Sequence, residues 1–153
     1  MRLNHVSISA VDLEESTRFY EDVFGMQRIP TPAFKATSVQ WLRVGDLQLH
    51  LFLDDRPGPP RHHIGLTVDD FDAAYEAVKE RTTGPWGMGL VELPSGQVQL
   101  YFRDPADNLI ELDWPDVATL DRSRYPELVR LADEVPQPPQ ARDAVLYLDG
   151  APA

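Results

Sequence analysis

The chain contains no cysteine. That removes disulfides, thiolate nucleophiles and thiolate metal ligands, and leaves histidine and carboxylates for any metal. Basic charge is also scarce: 14 Lys plus Arg stand against 25 Asp plus Glu, a net charge of −11. This balance repels a phosphate backbone and no local basic cluster offsets it, so nucleic acid is not expected as a partner. An acidic surface is compatible with a cationic ligand, but more often it only keeps a protein soluble. No apolar run approaches the roughly 20 residues that a membrane-spanning helix needs. The polar stretch from Asn4 onward lacks the charged, apolar and small-residue regions of a secretory leader. The expectation is a soluble cytoplasmic protein with no membrane partner. Other chemistry is missing too. Gly84-Pro-Trp-Gly-Met-Gly89 lacks the lysine and following helix of a phosphate loop, Ser95-Gly96 reads as a hairpin turn, and nothing resembles an EF-hand.

What is present is a repeat. His5-Val-Ser-Ile-Ser9 and His63-Ile-Gly-Leu-Thr67 each open a strand-like run, and each is followed by an aspartate, Asp12 or Asp70, that starts an amphipathic helix. Each unit then ends in an apolar strand with an embedded ligand-type residue, His50 in 47–53 and Glu111 in 109–112. The separations His5 to His63 and His50 to Glu111 nearly match. Self-similarity on this scale implies two copies of one supersecondary unit. With 153 residues the chain has room for one ordinary domain or two small units that share a core.

Alternation predicts a strand over 3–11. Asp12 is placed as an N-cap with Glu14 and Glu15 in the first turn, Leu13, Phe19, Tyr20, Val23 and Phe24 form an apolar stripe, and Gly25 ends the helix. Strands are predicted at 26–29, 36–44 and 47–53, with a linker at 54–60. The order then restarts: a strand over 63–69, a helix over 70–81 with Phe71, Ala74, Tyr75 and Val78 inward, and strands over 89–93, 97–103 and 108–114. The predicted class is α+β, two βαβββ modules (1–56 and 61–114) in one domain over 1–114, forming a cupped mixed sheet with helices outside. A C-terminal extension over 115–153 carries a helical pattern (Leu120, Leu128, Leu131) interrupted by Pro126, then a short apolar run at 144–148.

Parity groups the polar residues. In 47–53 the leucines share one face and leave Gln48, His50 and Phe52 on the other; Glu111 opposes Ile110 and Leu112; His63, Gly65 and Thr67 oppose Ile64 and Leu66. Ser7, Ser9, Gln99 and Tyr101 join the same polar face. One account is that this is only the solvated side of antiparallel sheets. The other is a divalent metal site of His5, His50, His63 and Glu111, since neutral imidazoles and a carboxylate suit Zn, Ni, Co, Mn or Fe(II). His62 has the wrong parity and reads as a neighbour. Gln99 and Tyr101 could donate hydrogen bonds to a substrate oxygen, and Gln48 belongs with them as a substrate-binding residue. Trp41, Trp86 and Trp114 could line an apolar pocket or simply pack in the core.

These motifs, with Asp12-Leu-Glu-Glu-Ser-Thr-Arg-Phe-Tyr-Glu-Asp-Val-Phe-Gly25 and Tyr101-Phe-Arg-Asp-Pro-Ala-Asp-Asn-Leu-Ile-Glu-Leu112, resemble the vicinal oxygen chelate superfamily. That superfamily contains glyoxalase I, methylmalonyl-CoA epimerase, extradiol dioxygenases, and fosfomycin- and bleomycin-resistance proteins. The resemblance covers roughly residues 1–114. It implies paired βαβββ modules around one divalent ion, with His5, His50, His63 and Glu111 at the ligand positions and a substrate that chelates through adjacent oxygens. It also implies Glu111 as the catalytic carboxylate, because glyoxalase I typically has a glutamate where this chain has His50. Dioxygenases use His, His and Glu, which His5, His63 and Glu111 reproduce. Bleomycin-type binding proteins generally lack the set. Two functions follow as expectations: a metal-dependent lyase, isomerase or dioxygenase on a small molecule, or a non-catalytic protein that sequesters an antibiotic or metabolite. A homodimer is expected, because paired modules with exposed sheet edges gain from mutual cover.

Overall fold

The computed structural model describes residues 3–35, 37–56, 62–83 and 89–146. The expected strand start at Ala36, linker residues 57–60, loop 84–88 with Trp86, and the end of the apolar run at 147–148 lie outside the described residues. The chain divides into two compact units, Met1–His62 with Arg103–Asn108, and His63–Phe102 with Leu109–Ala153.

The first unit runs β1 (His5–Ala10), α1 (Leu13–Phe24), β2 (Gln27–Ile29), β3 (Val39–Val44) and β4 (Leu47–Leu53). Its sheet has the order β1-β4-β3-β2, with β1 parallel to β4 and the other pairs antiparallel. The helix starts where Asp12 leaves the extended region, and its carboxylate accepts the Glu14 and Glu15 N–H groups at 2.9 Å. A cap of this kind contributes about 1 kcal/mol. It ends at Gly25, whose φ of 62° is the left-handed conformation that glycine reaches without a Cβ penalty. Of the predicted stripe only Tyr20 is fully buried; Ser16 and Thr17 take the other buried positions. Leu13, Phe19, Val23 and Phe24 are half-buried. Small hydroxyl residues let the helix lie close to the sheet, a preference that hydrophobicity alone does not signal.

The turn Arg103–Asn108 is part of this unit, and Asp104 organises it. Its buried carboxylate accepts from the Ala106 and Asn108 backbones at 2.9 and 2.8 Å, from Asn108 Nδ2 at 2.8 Å and from the Tyr20 hydroxyl at 2.8 Å. Asn108 Nδ2 also donates to the Ser9 carbonyl at 2.8 Å. The turn is thereby fixed to both α1 and β1.

The second unit runs β5 (His63–Thr67), α2 (Phe71–Val78), a 3-10 turn at Lys79–Arg81, β6 (Leu90–Glu92), β7 (Val98–Arg103) and β8 (Leu109–Trp114). Its sheet has the order β5-β8-β7-β6-β9, where β9 is Val129–Arg130 in the tail, with β5 parallel to β8. Phe71, Ala74, Tyr75 and Val78 are the buried face of α2, as their spacing predicts. The fold is α+β with two mixed sheets, as expected.

The tail departs from one continuous helical pattern. It forms 3-10 turns at Val117–Thr119 and Arg122–Arg124, then β9 (Val129–Arg130) and a single helical turn, α3 (Leu131–Glu134). Asp116 and Asp121 each accept the N–H two residues on, which restarts the chain as a turn, and Pro126 has no N–H to continue a helix. β9 then adds to the β6 edge in parallel, Val91 opposite Val129. Leu131 packs on the buried cluster of Val91, Tyr101 and Leu109. The segment is anchored on α2: Tyr75 donates to Glu127, and Tyr125 and Arg124 both donate to Asp72. Among the described residues no helix is long and apolar enough to cross a membrane.

Candidate metal centre

The two sheets place their ligand-type residues in one register. In the first, His5 pairs with Gln48, and Ser7, two residues on, pairs with His50. In the second, His63 pairs with Leu109, and Gly65, two residues on, pairs with Glu111. Each unit therefore carries one histidine on the first strand and one ligand-type side chain diagonally across a parallel pair, all on the same face of their strands. Ser9 and Phe52, and Thr67 and Asp113, continue the correspondence. His62 precedes the strand and takes no part in it.

In the first unit the rings of His5 and His50 stack with centroids 4.5 Å apart and planes 15° from parallel. Trp41, directly opposite His50, stacks on its other side at 4.3 Å and 7°. An amide oxygen sets each tautomer. Asn4 Oδ1 lies 2.6 Å from His5 Nδ1, and Gln48 Oε1 lies 2.8 Å from His50 Nε2. A carbonyl oxygen only accepts, so His5 Nδ1 and His50 Nε2 carry the protons, and the lone pairs are on His5 Nε2 and His50 Nδ1. Burial, and then the neighbouring His5, lower the His50 pKa and favour the neutral ring that a metal needs.

In the second unit His63 Nε2 lies 3.0 Å from Glu111 Oε2. Gln99 Nε2 donates to Glu111 Oε1 at 2.5 Å and, more weakly, to Asp113 Oδ1 at 3.4 Å, while Tyr101 donates to Gln99 Oε1 at 3.2 Å. His63 and Tyr101 meet edge to face at 5.9 Å. Glu111 and Asp113 are both buried, 5% exposed each. Burial first, then the hydrogen bond and charge of Glu111, push the Asp113 carboxyl up to about 8, against the opposing donation from Gln99. Burial, with Glu111 and Asp113 nearby, also raises the Tyr101 pKa and keeps the phenol protonated. Asp113 is a residue that the sequence reading missed; its parity with Glu111 was the available signal.

The donor chemistry fits a divalent ion of the borderline type: three imidazoles and a carboxylate, with backing amides of the kind that orient such ligands. The pairs form within their own units, and among the described residues no three His, Asp or Glu side chains are gathered as a metal cage. The parallel His5 and His50 rings face each other, so holding one ion with both requires one imidazole to turn about its side-chain bond. A separate cavity of about 450 Å³, lined by Glu92, Pro94, Arg130, Pro138 and Arg142, lies in the second unit and involves none of these ligands.

Each of the two mixed sheets carries a histidine and a second ligand-type side chain on neighbouring parallel strands, the same arrangement twice. The chain belongs to the Glyoxalase/Bleomycin resistance protein/Dioxygenase superfamily, which matches residues 2–112. It is 30% identical over 95 residues to the mitochondrial methylmalonyl-CoA epimerase of Mus musculus, covering 52% of this chain and 53% of that one. The chain thus spans about half the length of the curated relatives it matches. Among solved structures, a glyoxalase/bleomycin resistance protein/dioxygenase domain from Frankia shares the fold with a TM-score of 0.58 at 24% identity, covering 74% of this chain and 90% of that chain. A fosfomycin resistance protein from Listeria monocytogenes, complexed with Mn(II) and 1S,2S-dihydroxypropylphosphonic acid, has a TM-score of 0.57 at 19% identity, covering 72% and 89%.

Proposed function

We propose that His5, His50, His63 and Glu111 together hold one divalent ion, and that the protein is an enzyme acting on a small substrate that presents two adjacent oxygens to it. The carrying observation is the shared register: each sheet sets a histidine and a second donor at the same diagonal across a parallel pair. When bound, the ion supplies Lewis-acid stabilisation of negative charge on the substrate oxygens. Every other role belongs to the chain.

Glu111 is the base. Its carboxyl is buried, fixed at Oε1 by Gln99 and close to His63 at Oε2, so its direction is set before a substrate arrives. It takes the proton from the carbon beside the chelating oxygens and returns it in an isomerase, epimerase or lyase reaction. Tyr101, held protonated, turns its single O–H from Gln99 Oε1 to a substrate oxygen as negative charge grows there. Gln48 keeps His50 in one tautomer and contributes its amide N–H₂ to the substrate side. The likeness to an epimerase supports proton transfer. The His5, His63 and Glu111 subset supports oxygenase chemistry on Fe(II) as the second reading, with sequestration of a small molecule as the non-catalytic alternative. A cytoplasmic homodimer, with the two modules as one domain over 1–114, completes the reading.

The test is hydrogen–deuterium exchange at the carbon next to a carbonyl, followed by NMR in D₂O with metal-loaded protein and thioester or 2-hydroxyaldehyde substrates. Exchange that Glu111→Gln abolishes is the expected result. Metal-loaded protein that exchanges none of them, yet consumes oxygen with a catechol, moves the assignment to the dioxygenase.

A further inference from the structure

The donor positions of the two sheets match, but their surroundings do not. Phe52 lies two residues beyond His50 on the same face, and Asp113 lies two residues beyond Glu111. Where the second unit has Gln99, Tyr101 and Asp113 round its ligand pair, the first unit has aromatic rings. Trp41 is opposite His50 and stacks on it, Phe34 reaches in from the connection between β2 and β3, and Phe52 follows. Ring centroids are 6.3 Å apart from Phe34 to Trp41 and 6.3 Å from Phe34 to Phe52, at tilts of 51° and 48°. Ile29, opposite Trp41, and Val39, opposite Phe52, extend the apolar end of this face.

Phe34 is 44% exposed although two other rings are beside it. A single exposed apolar side chain needs no explanation, but this one completes a half-buried aromatic surface that runs directly into the histidine pair. Aromatic faces attract other planar π-systems in offset or edge-on arrangements, beyond simple area burial. A phosphate gains little from such a surface, and a flexible aliphatic chain gains apolar burial without the ring–ring contribution.

Resting on the proposed metal reading, we propose that Phe34, Trp41 and Phe52 form the subsite for a planar, unsaturated group of the substrate. The substrate class is then an aryl compound, or one with a conjugated planar substituent, whose adjacent oxygens project toward the histidines. Such a molecule lays its π-face on the first sheet, with its adjacent oxygens toward His5 and His50.

The experiment uses the full chain and two probes with the same adjacent oxygens, phenylglyoxylate and pyruvate. Binding is followed by calorimetry and by saturation-transfer NMR, with and without Mn(II), and Mn(II) uptake is measured separately. The wild type is expected to bind phenylglyoxylate about tenfold tighter than pyruvate, a factor in keeping with one aromatic stacking contact. Phe34→Ala is expected to bring the ratio close to one while Mn(II) uptake stays unchanged; Phe52→Leu, which keeps the apolar volume, is expected to halve the advantage or more. Equal affinities in Mn(II)-loaded wild type, or no saturation transfer to the ring protons, overturn the aromatic subsite. Protein that takes up no Mn(II) but keeps a Phe34-dependent preference overturns the metal reading alone and leaves the subsite standing.

Discussion

The backbone of Gly65 passes so close to Asp113 that a Cβ built on the glycine would stand 3.0 Å from Asp113 Oδ2. Gly65 also lies directly opposite Glu111. A glycine here leaves room for two buried carboxyls side by side. Gly65→Ala is expected to displace the Asp113 carboxyl by a few tenths of an ångström, costing about 1 kcal/mol, with Gly65→Val costing more. Urea denaturation of the two variants checks the order; equal stability of wild type and Gly65→Val contradicts it.

Asn4 and Gln48 are expected to matter through the histidines they face. Asn4→Ala and Gln48→Ala each release one imidazole from its tautomer, and backing groups of this kind typically contribute about 10- to 100-fold in metal affinity. Nitrogen-15 NMR of the histidine rings should show mixed tautomers at His5 in the first variant and at His50 in the second. Competition titration with a chromophoric chelator gives the affinities.

Asp104 is predicted to be the most sensitive position of the first unit outside the apolar core. Asp104→Ala leaves two backbone N–H groups, one N–H of the Asn108 side-chain amide and the Tyr20 hydroxyl without their acceptor in a buried place. The expected loss is about 3 kcal/mol or more, read from the denaturation midpoint.

The tail anchor carries a pH signature. Burial, followed by the hydrogen bond and charge of Glu127 and the charges of Glu76 and Glu80, pushes the Tyr75 hydroxyl from its ordinary 10.0 up to about 12. The folded form therefore holds this proton more tightly than the unfolded form. Its contribution to stability is fully present below pH 10 and is lost as pH rises through 12. Tyr75→Phe should lack that decline, so the stability gap between wild type and variant should narrow between pH 10 and 12. Parallel pH profiles would contradict the assignment.

Much of this architecture was legible because it rests on short-range patterns. The alternation of Leu47, Leu49 and Leu51 with Gln48, His50 and Phe52 separated the two faces of β4, and Asp12 with Gly25 bracketed α1 through cap chemistry alone. Other features depend on partners far along the chain. β9 is two residues long and exists because Val91 and Glu92 offer a free edge, so no local signal marks it. Asp113 at a strand end reads as an ordinary solvated carboxylate until Gly65 and Gln99 are seen beside it. Trp41 reads first as a core residue until its register places it on His50. Ser16 and Thr17 are buried because α1 lies close to the sheet, a fact of packing rather than composition.

If the two donor pairs act as one centre, a metal titration shows it directly. Cobalt(II) added to metal-stripped protein, followed by its visible absorption, should give one ion per chain in the wild type. His50→Ala and His63→Ala, one from each sheet, should each abolish tight binding. Two independent weak sites, or tight binding that survives loss of either pair, would contradict it.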